Sequence, residues 1–120
     1  MQNIIITGAS HGIGRALAKK LSKKYHIINI DIVENKMDKV DFYKCDLSDK
    51  SKLLKTIEKI KTNIDSLYAL INNAALFSSK SLEKQTLEEW ENIISINLTA
   101  PYILSKEFAP MLKQKKGHII

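Results

Sequence analysis

Three of the four glycines in this chain fall within one short stretch, Thr7-Gly8-Ala9-Ser10-His11-Gly12-Ile13-Gly14. Glycine supplies only 4 of 120 residues, below the usual ~7%, so the clustering needs a backbone reason. Before it runs Ile4-Ile5-Ile6, a short β-branched segment without alternation, as expected of a parallel strand buried on both faces. After it, Ile13, Ala16, Leu17 and Leu21 recur at helical spacing, with Arg15, Lys19, Lys20, Lys23 and Lys24 on the other side. Between a buried strand and a helix, the first glycine permits the turn. The second lets backbone approach a pyrophosphate, and the third lets helix press on sheet. The free N–H groups and the positive end of the helix dipole then face the anion. A glycine turn that merely joins strand to helix is the simpler alternative, and the strand, loop and helix context favours phosphate binding.

The rest of the chain keeps alternating. His26 to Asp31 reads as a second strand, and Val40 to Cys45 as a third and weaker one. Ser48 is expected to cap a helix in which Leu53, Ile57, Ile60 and Ile64 share one side. Leu67 to Ile71 forms a fourth strand ending at Asn72-Asn73, and Leu76 to Gln85 is polar enough for a loop. Thr86 and Glu89 make a capping box, followed by a helix face of Leu87, Trp90, Ile94 and Leu98. Pro101 should kink or divide the segment after it, where Leu104, Phe108, Met111 and Leu112 form a further apolar stripe around Pro110. Lys113, Lys115, Lys116 and a left-handed Gly117 end that helix, and His118-Ile119-Ile120 begins a fifth strand. Strands separated by helices imply right-handed crossovers and a parallel sheet with helices on both faces, in one domain over residues 1–120 that ends within the fifth strand.

Composition excludes several classes. The longest apolar runs fall far short of the ~18 residues of a membrane helix, and no secretory signal is visible, so no membrane partner is expected and the cytoplasm is the default location. Cys45, the single cysteine, cannot form an internal disulfide and reads as a small buried hydrophobe. His11, His26 and His118 are too scattered for a metal site. The net charge of +6 comes from lysines spread over the chain, with Arg15 the only arginine. Base-reading surfaces favour arginine forks, so the excess reads as solvated helix faces and no nucleic-acid partner is expected.

With these residues in place, the sequence resembles the short-chain dehydrogenase/reductase family. Thr7 through Gly14 meets its Thr-Gly-x-x-x-Gly-x-Gly signature in full, and Asn72-Asn73-Ala74-Ala75 resembles its Asn-Asn-Ala-Gly, with Ala75 in place of glycine. That replacement is expected to cost backbone freedom without abolishing the turn. Asp46-Leu47 sits where the family has an Asp and an aliphatic residue beside adenine, and Asn97 matches its structural and catalytic asparagine. The resemblance implies a doubly wound, Rossmann-type α/β sheet of strand order 3-2-1-4-5, incomplete at the C-terminus. It also implies a dinucleotide held by Gly8, Ser10, His11, Gly12, Ile13, Gly14, Asp31, Ile32, Asp46, Leu47, Asn73, Ala74 and Ala75, with Asn97 in a catalytic role. Asp31 closes the second strand, where a carboxylate can accept hydrogen bonds from both hydroxyls of the adenosine ribose. That favours NAD over NADP, since a 2′-phosphate would meet the same charge and His11 offers little compensation at neutral pH.

The family transfers hydride between nicotinamide and an alcohol or carbonyl, using a Tyr, a Lys four residues later and a Ser. All three lie beyond the fifth strand in the family pattern, so the expected chain binds the cofactor without turning over substrate alone. Tyr102 and Lys106 have the right spacing but precede the fifth strand, and read as a core or interface tyrosine beside a solvated lysine. A non-catalytic dinucleotide-binding or interaction module remains the alternative. The sequence also leads us to expect a homo-oligomer, with the stripe through Phe108 and Met111 partly bare.

Overall fold

The computed structural model of the chain describes residues 1–120. Its elements run β1 (Asn3–Thr7), α1 (Gly12–Leu21), β2 (His26–Asp31), β3 (Val40–Lys44), α2 (Lys50–Asn63), β4 (Ala69–Ile71), α3 (Leu87–Ile94), α4 (Ala100–Gln114) and β5 (His118–Ile119), with a π-helical turn, Ser95–Thr99, joining α3 to α4. All strand pairs are parallel, in the order β3-β2-β1-β4-β5. The sheet order expected from the sequence is therefore the one observed.

Alternation along the strands divides the core. Ile5, Ile28, Ile30 and Leu70 face α2 and α4, where they meet Leu53, Ile57, Ile60, Leu104, Phe108 and Leu112. Ile4, Ile6, Ile27, Ala69 and Ile71 face the other way and pack with Ala18 of α1. Because both faces are covered, Ile4, Ile5 and Ile6 of β1 run without alternation, as do Ile27, Ile28 and Ile30 of β2 apart from the buried Asn29 between them. The second face carries α1 alone. Ala69 and Ile71 are buried there nonetheless, whereas Ile119 and Ile120 at the β5 edge are exposed.

Several local expectations need correction. In α1 Leu17 and Leu21 pack partly buried against the sheet as expected, beside the fully buried Gly14 and Ala18, while Ile13 is 76% exposed and Ala16 is exposed too. At the first turn only a residue without a side chain fits, since a Cβ on Gly14 would stand 2.4 Å from the Gly8 carbonyl oxygen, so Gly14 takes the inward place expected of Ile13. Asp49, not Ser48, caps α2, its carboxylate accepting from the Lys52 amide at 3.0 Å. The left-handed residue after α4 is Lys116 (φ 49°), not Gly117. Gly117 is required for closeness instead, since a Cβ there would stand 2.4 Å from the Tyr68 carbonyl oxygen. Ala75 does not adopt positive φ, so the missing glycine costs no backbone strain.

Pro101 does not divide the rod into two separate helices. Its ring would clash with a carbonyl one turn back and it offers no N–H, and the chain absorbs both by widening to the π turn, where the Ala100 amide reaches back to the Ser95 carbonyl. Helical path then continues through α4, past Pro110. Phe108 is fully buried and Met111 half-buried, so the expected bare stripe lies elsewhere: Leu87, Trp90, Leu98 and Tyr102 are the exposed apolar residues of the rod.

Candidate functional site

The carboxyl ends of β1, β2 and β4 meet at the point where the strand order reverses direction, the crevice where open α/β sheets bind ligands. The glycine loop leaves β1 there, and its first three amides are already committed. Gly8 N–H donates to the Ile30 carbonyl (2.9 Å), Ala9 N–H to Asn29 Oδ1 (2.9 Å) and Ser10 N–H to Asp31 Oδ2 (3.1 Å). Ser10 is buried. Its hydroxyl donates to the Val33 carbonyl and accepts from Asn29 Nδ2, and its carbonyl accepts from Asn35 Nδ2. Ser10 thus shapes the loop from inside.

The next amides differ. His11 is the N-cap of α1 and makes no side-chain capping bond, and the first intrahelical bond is donated by Arg15 to the His11 carbonyl. The amides of Gly12, Ile13 and Gly14 therefore sit at the positive end of α1 without helical partners. Gly12 has φ +56° and nothing within 4 Å of where a Cβ would be, leaving open space beside these donors. Gly14 is the reverse case: a Cβ would stand 2.4 Å from both the Gly8 carbonyl oxygen and Asn73 Nδ2. Thr7 and Asn73 lock the loop to β4. The Thr7 hydroxyl accepts from the Asn73 and Ala74 amides (3.0 and 2.9 Å), and Asn73 Nδ2 donates to the carbonyls of Thr7 and Gly8 (3.0 and 3.2 Å).

Asp31 closes the loop's other side. One carboxylate oxygen holds Ser10 N–H and the other holds Ile32 N–H (2.7 Å), so the group is fixed in place while each oxygen keeps a lone pair for a further donor. Next to it lies a cavity of about 300 Å³. Asp31, Ile32, Asp46, Leu47, Ala74 and Ala75 line it together, as the sequence reading grouped them. Asn92 and Ile96, which sequence reasoning missed, form the far wall from α3 and the π turn. Only the tertiary fold brings them there. Gly8, Ser10, His11, Gly12, Ile13, Gly14 and Asn73 lie outside this cavity, in or against the adjoining loop.

Asp46 Oδ1 accepts from both the hydroxyl (2.7 Å) and the amide (2.9 Å) of Ser48. These donors stabilise the carboxylate and hold its pKa below the ordinary range. Buried Cys45, just past β3, has its thiol pushed up by desolvation. Asn97, in the π turn, brackets one residue of the β4–α3 loop: its Oδ1 accepts from Leu76 N–H (2.8 Å) and its Nδ2 donates to the Leu76 carbonyl (2.9 Å). Tyr102 and Lys106 are both exposed on α4 and line neither cavity nor loop, so Tyr102 is not a core residue. No three His, Cys, Asp or Glu side chains converge to hold a metal ion, and no helix is long and apolar enough to cross a membrane.

A glycine loop opening a helix at the crossover of a parallel doubly wound sheet, with an acidic residue ending the second strand, defines the dinucleotide-binding class of α/β proteins. Within that class the chain belongs to the short chain dehydrogenase family, whose model matches residues 2–120. It is 33% identical over 129 residues to an uncharacterized oxidoreductase of Thermotoga maritima, covering 97% of this chain and 50% of that protein. It is 31% identical over 126 residues to the 3-oxoacyl-(acyl-carrier-protein) reductase FabG of Escherichia coli, covering 97% and 52%. Among solved structures, a 4-hydroxyisoleucine dehydrogenase complexed with NADH superposes with TM-score 0.90 at 30% identity, over 99% of this chain and 54% of that one. A metagenomic short-chain oxidoreductase in complex with NADP gives 0.85 at 28%, over 98% and 59%. The chain thus spans about half the length of its relatives.

Proposed function

We propose that this chain is the NAD(H)-binding portion of a short-chain oxidoreductase that transfers hydride between a nicotinamide and an alcohol or carbonyl. One observation carries the reading: a carboxylate pinned by the glycine loop stands at the end of β2, beside helix amides that have no partner within the fold. The amides from His11 to Gly14 are placed to receive a pyrophosphate, and the open space at Gly12 lets it approach. Asp31 retains acceptor capacity for the two ribose hydroxyls and repels a 2′-phosphate. Ile32 and Leu47 offer apolar walls for adenine within the 300 Å³ cavity, and Asp46 stands at its rim. When bound, the nicotinamide supplies the hydride donor or acceptor. Asn97 holds Leu76 and with it the segment after β4, so it acts on the site by positioning backbone. Relatives complexed with NADH and with NADP both exist, so preference rests on Asp31.

Fluorescence titration with NADH and NADPH tests this. NADH should bind at least tenfold more tightly than NADPH, and Asp31→Ala should weaken NADH and narrow that ratio. Equal affinity for both in the parent chain, or an Asp31→Ala variant that binds NADH as tightly as the parent, would overturn it.

A further inference from the structure

On the outer side of the adenine cavity lies a separate groove of about 340 Å³. Lys52, Lys55 and Lys59 line it from successive turns of α2, and Lys44 from the end of β3. None of these four lysines has a carboxylate within 4 Å, whereas Lys61, further along the same helix, is paired with both Glu58 and Glu107. The acidic side chain on the groove is Asp46, whose Oδ1 is already occupied by Ser48, so four cations face one carboxylate. Ammonium groups gathered around a concavity repel one another and raise the local potential, and an anion with several charged oxygens relieves that repulsion by bridging them. What distinguishes this from an ordinary solvated helix face is that Lys44 at the end of β3 joins the α2 lysines along the same concavity, so the four line it from two elements.

We propose that this groove binds a small polyphosphorylated anion at a site separate from the dinucleotide. Ile32, Cys45 and Asp46 form its inner wall and also line the adenine cavity, so the two ligands would be neighbours across a shared wall. Lysines suit such a ligand because each is a mobile point charge that adjusts to tetrahedral phosphate groups without a fixed fork.

The test is calorimetric titration of the chain with inorganic tripolyphosphate, without NADH and again with NADH saturating, which keeps the glycine loop occupied. A single site that persists under NADH is expected. Lys52→Ser/Lys55→Ser should weaken it at least tenfold while leaving NADH affinity unchanged, and the control Lys19→Ser/Lys23→Ser, of equal net charge on α1, should change it less than twofold. A sugar bisphosphate in place of tripolyphosphate separates the two sources of the chemistry. Equal affinity means that charge alone is read, and tighter binding of the sugar points to a phosphorylated metabolite. Disappearance of the site under NADH, or equal loss in both lysine pairs, would overturn the proposal. Should the chain fail to bind NADH at all, the lysine dependence measured without it still decides the question.

Discussion

The glycine loop and the α3–α4 rod are both built around backbone that departs from regular structure, but their surroundings differ. At the loop every amide from Gly8 to Ser10 has an internal partner, and Gly14 is packed so closely that a methyl group would strike the Gly8 carbonyl. Along the rod, one face buries Leu104, Phe108 and Leu112 completely or nearly so, while Leu87, Trp90, Leu98 and Tyr102 stand in solvent. The contrast separates two uses of irregular backbone. In the loop the amides from Gly8 to Ser10 are satisfied internally and those at the start of α1 are not, and it is at these that we propose the pyrophosphate sits. The rod leaves apolar area uncovered, which marks a surface rather than a pocket.

The sharpest way to break that contrast is to truncate both faces of the rod. Phe108→Ala should destabilise by about 3–5 kcal/mol through lost burial and a cavity, whereas Trp90→Ala, at a side chain 53% exposed, should change stability by less than about 1 kcal/mol. Urea denaturation of both variants measures the difference, and comparable losses would erase the distinction between a packed and a bare face. Gly14→Ala should follow at about 1–3 kcal/mol, the cost of overpacking a tight contact, accompanied by weaker NADH binding. A variant of normal stability would show that the loop can yield.

The bare face makes its own prediction. We expect the chain to self-associate through it, so that Trp90→Ser/Leu98→Ser shifts sedimentation toward the monomer. If the parent chain is already monodisperse and monomeric, the exposed stripe is not a self-association surface. The smallest effect concerns the ion pair between Lys61 of α2 and Glu107 of α4, 2.9 Å apart. Its hydrogen bond and charge lower the Glu107 pKa and raise that of Lys61. A lowered carboxylate pKa contributes stability that is fully present above the ordinary glutamate value of about 4.3 and is lost as pH falls through the folded value. The melting temperatures of the parent and Glu107→Gln should therefore differ slightly at pH 7 and converge in acid. A gap that widens on acidification would contradict that sign.

Much of the site was legible in the sequence because its chemistry is local. Gly8, Gly12 and Gly14 announce themselves by residue type, Asp31 by closing an apolar run, and Asn73 by standing at the end of another. The hidden parts depend on what lies across the fold. Asn29 reads as an odd polar residue in a strand, yet it is buried, accepts from the Ala9 amide and donates to the Ser10 hydroxyl. Thr7 looks like an ordinary strand end, and its hydroxyl receives two amides from far along the chain. Ile13 fits the helical period as well as Gly14 does, and only the sheet's closeness decides which faces inward. The π turn was hidden for a different reason: proline signals disruption without saying whether the helix breaks or widens.

Amide chemical-shift mapping during NADH titration shows which backbone groups meet the cofactor. The largest perturbations should fall at His11, Gly12, Ile13 and Gly14, with a second group at Ile32 and Leu47. Perturbations confined to the α3–α4 rod or the β5 edge, with those amides unmoved, would contradict that placement of the cofactor.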